Sequence, residues 1–115
     1  MPAPSATDPT RLLDPVVKAA LEAMNDGNRD AWLGLFDARA ILTDDGNERD
    51  YKHWSDSEIF GAGKGRIASI TRVVDKGVTI HANFHSAQWG DFKTFWKFKI
   101  QGGKIVRLDV GQEDG

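Results

Sequence analysis

The sequence predicts one α+β domain in which helices from the first half of the chain cover one face of an antiparallel sheet built by the second half. Three observations support this class. Apolar residues recur at helical spacing in the first half, and from Gly65 onward they alternate with polar residues. Short turn sequences, Asp75-Lys76-Gly77 and Gly102-Gly103, separate the alternating segments.

Two consecutive helices are predicted near the start of the chain. Asp14 suits the N-cap of the first helix and Pro15 its first helical position, because an amide hydrogen there would have no helical partner. Gly27 closes this helix, and Asn28 can cap the second. The apolar stripes that should pack inward are Val17, Leu21 and Met24 on the first helix, and Trp32, Leu35 and Phe36 on the second.

A short strand and a third helix are predicted before the sheet. Residues 40–43 form an apolar stretch that includes β-branched side chains, and residues 44–47, Asp-Asp-Gly-Asn, have strong turn chemistry. Ser55 and Glu58 match a capping box, in which each side chain bonds a free backbone amide at the start of a helix. We therefore expect a short helix to begin just after Trp54.

Four alternating strands are predicted after this helix. They span residues 67–75, 78–86, 91–101 and 104–111. On the third strand one face is aromatic and apolar while the other is rich in lysine, so the apolar face should point into the domain. The inward-facing residues are Phe92, Thr94, Trp96, Phe98 and Ile100 on this strand, and Val106, Leu108, Val110 and Gln112 on the last one.

Composition excludes several classes of protein. The 115 residues are 40% hydrophobic and 28% charged, which is typical of a folded globular domain. A formal net charge of -2 gives no basic field, so we expect neither a nucleic acid nor a membrane as partner. The chain has no cysteine, which suits the cytoplasm. We expect residues 1–13 to form a flexible tail and residues 14–112 a single domain.

Two segments of the chain resemble a known superfamily. They are residues 27–36, Gly-Asn-Arg-Asp-Ala-Trp-Leu-Gly-Leu-Phe, and residues 103–108, Gly-Lys-Ile-Val-Arg-Leu. With the order of helices and strands, they resemble the NTF2-like superfamily, particularly its SnoaL-like and ketosteroid isomerase-like members. The resemblance implies a cystatin-like cone, with three N-terminal helices packed on a curved antiparallel sheet around one pocket, and a homodimer formed through the sheet.

The resemblance also implies a position for a general base. Ketosteroid isomerases carry an aspartate eight residues beyond the phenylalanine that ends the second helix, and counting eight residues from Phe36 gives Asp44. Their oxyanion hole needs a tyrosine and a protonated aspartate, whereas the matching positions here are Ala20 and Trp96. We therefore do not expect steroid isomerisation by that mechanism.

A pocket of this kind predicts a small, mostly apolar organic ligand with one or two polar atoms. If Asp44 faces the mouth of an apolar cone, it can accept and donate a proton in an isomerase-, cyclase- or lyase-type reaction. If Asp44 only begins a solvated turn, the domain is a non-catalytic ligand-binding or dimerisation module. The residues expected to bind the ligand are Trp32, Tyr51, Trp54, Phe60, Trp96, Phe98, Val110 and Gln112.

No cofactor motif and no metal site are predicted. His81 and His85 share one face of a strand, but four residues of extended chain place them about 13 Å apart at ~3.3 Å per residue. They cannot bind one metal ion together, and His53 is the only other histidine. For His53 we expect an exposed position after the first strand.

Overall fold

The computed structural model describes residues 12–61 and 64–113. In that part of the chain, three α-helices pack on one six-stranded sheet, which confirms the predicted α+β class. Residues 1–11 of the predicted tail lie outside the described residues. The division into a tail and one domain therefore stays a prediction.

The helices are α1 (Pro15–Asn25), α2 (Arg29–Gly34) and α3 (Tyr51–Glu58). The first two begin at the predicted caps, because Asp14 Oδ1 accepts a hydrogen bond from the Val16 amide at 2.8 Å and Asn28 Oδ1 accepts one from the Ala31 amide at 3.1 Å. Gly27 lies between these helices with a φ of +70°, a conformation that glycine adopts without strain.

The start of α3 differs from the prediction. Asp50 caps this helix by accepting a hydrogen bond from the His53 amide at 2.9 Å, so the helix begins four residues before Ser55. Ser55 lies within the helix and is fully buried. The capping box assigned to Ser55 and Glu58 was therefore wrong, because those residues belong to the second half of the helix and not to its start.

The sheet has the strand order β2-β1-β6-β5-β4-β3. Neighbouring strands are antiparallel except β1 and β6, which run parallel, so the sheet is mixed. The strand β2 was not predicted, since all of its residues are exposed and it has no apolar pattern. The bounds are β1 (Phe36–Asp44), β2 (Asn47–Arg49), β3 (Arg66–Val74), β4 (Thr79–Ser86), β5 (Gly90–Gln101) and β6 (Lys104–Gln112).

Phe36 and Leu35 also differ from the prediction of a longer second helix. The helix ends at Gly34, Leu35 is its C-cap, and Phe36 is the first residue of β1. Phe36 is nevertheless buried, because its ring lies 5.2 Å from that of Trp32. Trp32 and Phe36 thus pack together as the pattern predicted, although Phe36 belongs to a strand and not to the helix.

The last two strands contain an irregularity that changes which residues face inward. The pairing of β5 with β6 shifts by one residue between Lys99 and Ile100. Ile105 is consequently fully buried, whereas Val106, which the alternation had placed inside, is only half-buried. After the shift, inward-facing and outward-facing residues alternate as predicted, and Leu108 and Val110 are buried.

Candidate functional site

A cavity of about 580 Å³ lies on the inner face of the sheet, between α3 and the strands β4, β5 and β6. Its walls combine aromatic rings with carboxylates. The end of β1 and the hairpin between β4 and β5 form its mouth, which places the residues of both turns near a bound molecule. A volume of this size suits a small organic ligand.

Four aromatic rings form a continuous wall, which we call the aromatic wall: Trp54, Phe84, Phe92 and Trp96. Trp54 meets Trp96 edge to face at a centroid distance of 6.1 Å. Phe84 lies 5.6 Å from Trp96 and 5.7 Å from Phe92. These spacings are those of favourable aromatic pairs, so the rings hold one another in place.

Asp44 is the last residue of β1 and lies at the edge of this wall. It is in register with Val110 on β6, and Val110 is in register with Trp96 on β5, so the three residues form one row across the sheet. The Trp54 indole Nε1 donates a hydrogen bond to Asp44 Oδ2 at 2.9 Å. Asp44 is half-buried, and this bond fixes its carboxylate to α3.

The turn after Asp44 explains why β1 stops there. Asp45 and Gly46 have φ values of 51° and 85°, so they form a tight hairpin turn of the kind that Asp-Gly favours. Asp45 Oδ1 then accepts a hydrogen bond from the backbone N–H of Gln112 at 2.9 Å. This bond ties the end of β6 to the mouth of the cavity.

Trp96 presents its ring to the cavity but not a free donor. Its Nε1 donates to Thr94 Oγ1 at 2.8 Å, and Thr94 Oγ1 in turn donates to the Ala82 carbonyl at 3.0 Å. Ala20, at the other position that the resemblance associated with an oxyanion hole, is fully buried in α1. Neither residue supplies a hydrogen bond to a ligand oxygen in this geometry.

Charged groups around the cavity are mostly acidic. Besides Asp44, the lining includes Asp45, Glu58 and Asp91, and Arg49 is the one cationic side chain among the described lining residues. Glu58 Oε2 accepts a hydrogen bond from the Ser57 hydroxyl at 3.1 Å. Asp91 is bonded to His85 Nδ1 on the solvent side of the hairpin.

The structure divides the predicted ligand-binding residues into two groups. Trp54, Trp96, Val110 and Gln112 line the cavity together with Asp44. The remaining four are absent from its lining and belong to the core or pack against it. These are Trp32, Tyr51, Phe60 and Phe98.

Three of those four belong to a second group of rings, the α2 cluster, which consists of Trp32, Phe36, Tyr51 and Phe60. Tyr51 stacks on Phe36 at 5.0 Å, and Phe60 meets Trp32 edge to face at 6.4 Å. Trp32 Nε1 donates to the buried Ser55 hydroxyl at 2.8 Å. This cluster is packed between α2, α3 and the start of β1, and its rings are absent from the cavity lining.

The histidines do not reach the cavity lining. His53 is exposed on α3, and His81 Nδ1 lies 2.8 Å from Glu113 Oε2. Within residues 12–61 and 64–113, no group of three histidine, aspartate or glutamate side chains is arranged to hold a metal ion. No helix in the same residues is long and apolar enough to cross a membrane.

Several lining residues were not predicted as site residues. Phe84 and Phe92 are inward-facing positions on alternating strands, and this alternation was the available signal. Arg49, Glu58 and Trp89 have no such signal, because they enter the site from an exposed strand, a helix end and a hairpin tip. Their roles depend on tertiary contacts.

The sequence matches no protein-family model, and no curated protein is similar to it. Solved structures with a similar fold include a candidate polyketide cyclase from Sinorhizobium meliloti, at a TM-score of 0.73, 17% identity, and coverage of 88% of this chain and 97% of that one. An NTF2-like protein of unknown function from Cytophaga hutchinsonii has a TM-score of 0.68 and 13% identity, with 92% and 91% covered.

A third similar structure is a protein from Catenulispora acidiphila with a ketosteroid isomerase-like fold, solved in complex with trimethylamine. Its TM-score is 0.64 at 18% identity, and the match covers 85% of each chain. All three matches extend over most of both chains. The chain therefore has the NTF2-like fold that its helix pair and final hairpin predicted.

Proposed function

We propose that this protein binds a small, mostly apolar organic molecule in the cavity and that Asp44 exchanges a proton with it. The observation that carries the proposal is the position of the Asp44 carboxylate. It lies on the same row as Trp96, and Trp54 binds only one of its oxygens. The other oxygen, Oδ1, accepts no hydrogen bond from the described residues and can face a ligand in the cavity.

The chemistry follows from this placement. A carboxylate oxygen that faces a bound ligand can accept a proton from a carbon atom of that ligand as a general base. The same carboxyl group can return the proton to a different atom of the ligand. These two proton transfers are the core of isomerase-, cyclase- and lyase-type reactions, and the similar protein from Sinorhizobium meliloti is a candidate polyketide cyclase.

One observation favours the competing function, a non-catalytic binding module. The Trp96 indole N–H is already bonded to Thr94, and Ala20 is apolar. The aromatic wall thus offers no neutral hydrogen-bond donor to stabilise a developing oxyanion. In this alternative Asp44 only orients the ligand, and no turnover occurs.

Proton abstraction by Asp44 can be tested with nitrobenzisoxazole, a small neutral aromatic compound. When a base removes its ring C–H proton, the N–O bond breaks and a coloured nitrophenolate forms. We expect wild type to catalyse this elimination and Asp44→Asn to lose the activity, because the amide cannot accept the proton. Asp30→Asn is the matched control, since the Asp30 side chain is 98% exposed and lies outside the cavity.

The result separates the two functions. Equal rates for wild type and Asp44→Asn would exclude Asp44 as a base towards this probe and leave the binding module. Native mass spectrometry of the purified protein tests binding independently, because a co-purifying small molecule that is lost on unfolding supports a ligand site. Trp54→Phe should reduce the elimination rate less than Asp44→Asn, since it only releases the carboxylate.

We also propose that the protein is a cytoplasmic homodimer formed through the outer face of the sheet. Ile41 is 37% exposed on that face, in register with Arg107. Phe95 is half-buried there beside Gly111, where an added Cβ would come within 2.6 Å of its ring. These apolar groups support an interface among lysines. A molar mass of one chain by light scattering would exclude the dimer.

A further inference from the structure

The charge balance of the cavity is unusual for a site that takes a neutral or anionic molecule. Its described lining includes the acidic residues Asp44 and Asp45 on the β1–β2 hairpin and Glu58 on α3, and Arg49 is the one cationic residue in that described lining. The Asp44 carboxylate is held by a neutral indole and not by a cation. Glu58 ends α3, where the negative end of the helix dipole adds to its charge. The lining therefore repels anions.

The aromatic wall adds a second attraction for a cation. Trp54, Trp96 and Phe84 line the cavity within contact distance of one another, and aromatic faces attract cations through their quadrupoles. Trp89, at the tip of the β4–β5 hairpin, lines the mouth although the residue is 68% exposed. An exposed tryptophan at the mouth of a cavity can cover a ligand once it is bound.

We propose that the ligand of this cavity is an organic cation, a small amine or quaternary ammonium compound. This inference rests on the proposed function only in that the cavity binds a ligand. The ammonium group contacts the aromatic wall and is neutralised by Asp44 and Glu58. A hydrated metal ion does not fit as well, because aromatic carbon atoms cannot replace its water ligands and no described cluster of three ligating groups is present.

The test compares choline with dimethylbutanol, which has the same shape but carries carbon in place of the charged nitrogen. Isothermal titration calorimetry measures the affinity of both compounds for the wild-type protein. We expect choline to bind at least about tenfold more tightly, since a partly desolvated cation–π contact and carboxylate pairing are lost in the alcohol. Choline affinity should also fall between about 0.01 and 1 M salt, over which the screening length decreases from about 30 to about 3 Å.

Charge-removing variants locate the effect in the cavity. Glu58→Gln preserves side-chain size and should weaken choline binding severalfold. Asp30→Asn removes an equal charge outside the cavity and should leave choline affinity unchanged. If Asp30→Asn weakens binding as much as Glu58→Gln, the attraction comes from the net charge of the whole protein and the inference fails.

Two other outcomes overturn the inference and have different consequences for the proposed function. Equal affinity for choline and dimethylbutanol would show that the cavity binds small molecules without regard to charge, and the proposed function would stand. Failure to bind either compound would exclude a small quaternary ammonium ligand. The elimination assay and the search for a co-purifying molecule then decide the proposed function separately.

Discussion

The α2 cluster and the aromatic wall are built from the same kinds of residue, but the first is part of the core and the second lines the cavity. In the α2 cluster the Trp32 indole bonds to a buried serine, and α2 and α3 cover the rings. In the aromatic wall the Trp54 indole bonds to Asp44, and the rings open onto a cavity. An inward-facing aromatic residue is thus a core residue or a wall residue according to what covers it, which alternation along a strand does not determine.

The largest expected effect separates Trp32 from Trp96. Both side chains are almost completely buried, at 0% and 1% exposure. Trp32→Ala should lower the free energy of unfolding by about 3–5 kcal/mol, because it leaves a closed void and an unpaired Ser55 hydroxyl. Trp96→Ala should cost about 3 kcal/mol, at the low end of that range, because the void joins a cavity that water can enter. Urea denaturation of the two variants measures both values.

The two tryptophan variants also differ in what they do to binding. Trp96→Ala removes part of the aromatic wall, so choline affinity should fall, whereas a folded Trp32→Ala protein should retain it at low temperature. An unchanged melting temperature in Trp96→Ala would show that the inner face of β5 has been assigned incorrectly. Equal losses of choline affinity in both variants would show that the two ring groups are not independent.

A glycine next to each group gives a smaller effect. A Cβ at Gly65 would lie 2.4 Å from the Phe84 ring and 2.7 Å from the Glu58 carbonyl oxygen, so Gly65→Ala should displace the aromatic wall and cost about 1–3 kcal/mol. Gly34, the last residue of α2, has no atom within 4 Å of the added Cβ. Gly34→Ala should therefore be neutral or stabilise the protein by about 0.4–1 kcal/mol.

Thermal unfolding of the two alanine variants checks this pair. Gly65→Ala should also weaken choline binding, because Phe84 is in the wall. A Gly65→Ala protein with wild-type stability and affinity would mean that Phe84 can move freely, which would contradict a wall of rings that hold one another in place. The Gly34→Ala variant controls for the general effect of replacing glycine by alanine.

Local chemistry explains which parts of the fold were predictable. Asp14, Asn28 and the Asp45-Gly46 turn act within a few residues of their own position, and the structure places them as predicted. The start of α3 was missed because Ser55 and Glu58 match a capping box locally, while Asp50 caps the helix one turn earlier. The parallel pairing of β1 with β6 joins residues far apart in sequence, and no local pattern indicates it.

The candidate site could likewise be predicted from the sequence only in part. The position of Asp44 followed from a family resemblance and Trp96 from alternation, and the structure brings both to one cavity. The Trp54–Asp44 bond and the acidic lining depend on how α3 lies over the sheet. Trp32 and Tyr51 are aromatic like Trp54, so the sequence does not distinguish them from a cavity residue. The structure shows that both rings pack against Phe36 instead of lining the cavity.

The smallest expected change in stability concerns a carboxylate on the outer face of the sheet, Asp109, which contrasts with the carboxylates of the cavity. Burial raises the pKa of Asp109, but hydrogen bonds from Arg107 and Thr43 outweigh this and hold the pKa below its usual value. Asp109 thus stabilises the fold above its unfolded pKa of about 3.9, and this contribution is lost as the pH falls through its folded value.

Asp109→Asn should accordingly lower the free energy of unfolding by less than about 1 kcal/mol at neutral pH, because the ion pair is near the surface. The difference from wild type should shrink once the pH is low enough to protonate Asp109, and Thr43→Val should show part of the same trend. Urea denaturation over a pH series measures it. A difference that stays constant down to low pH would mean that Arg107 and Thr43 do not stabilise the charged carboxylate. The outer face would then lack the pairing that distinguishes its carboxylate from those of the cavity.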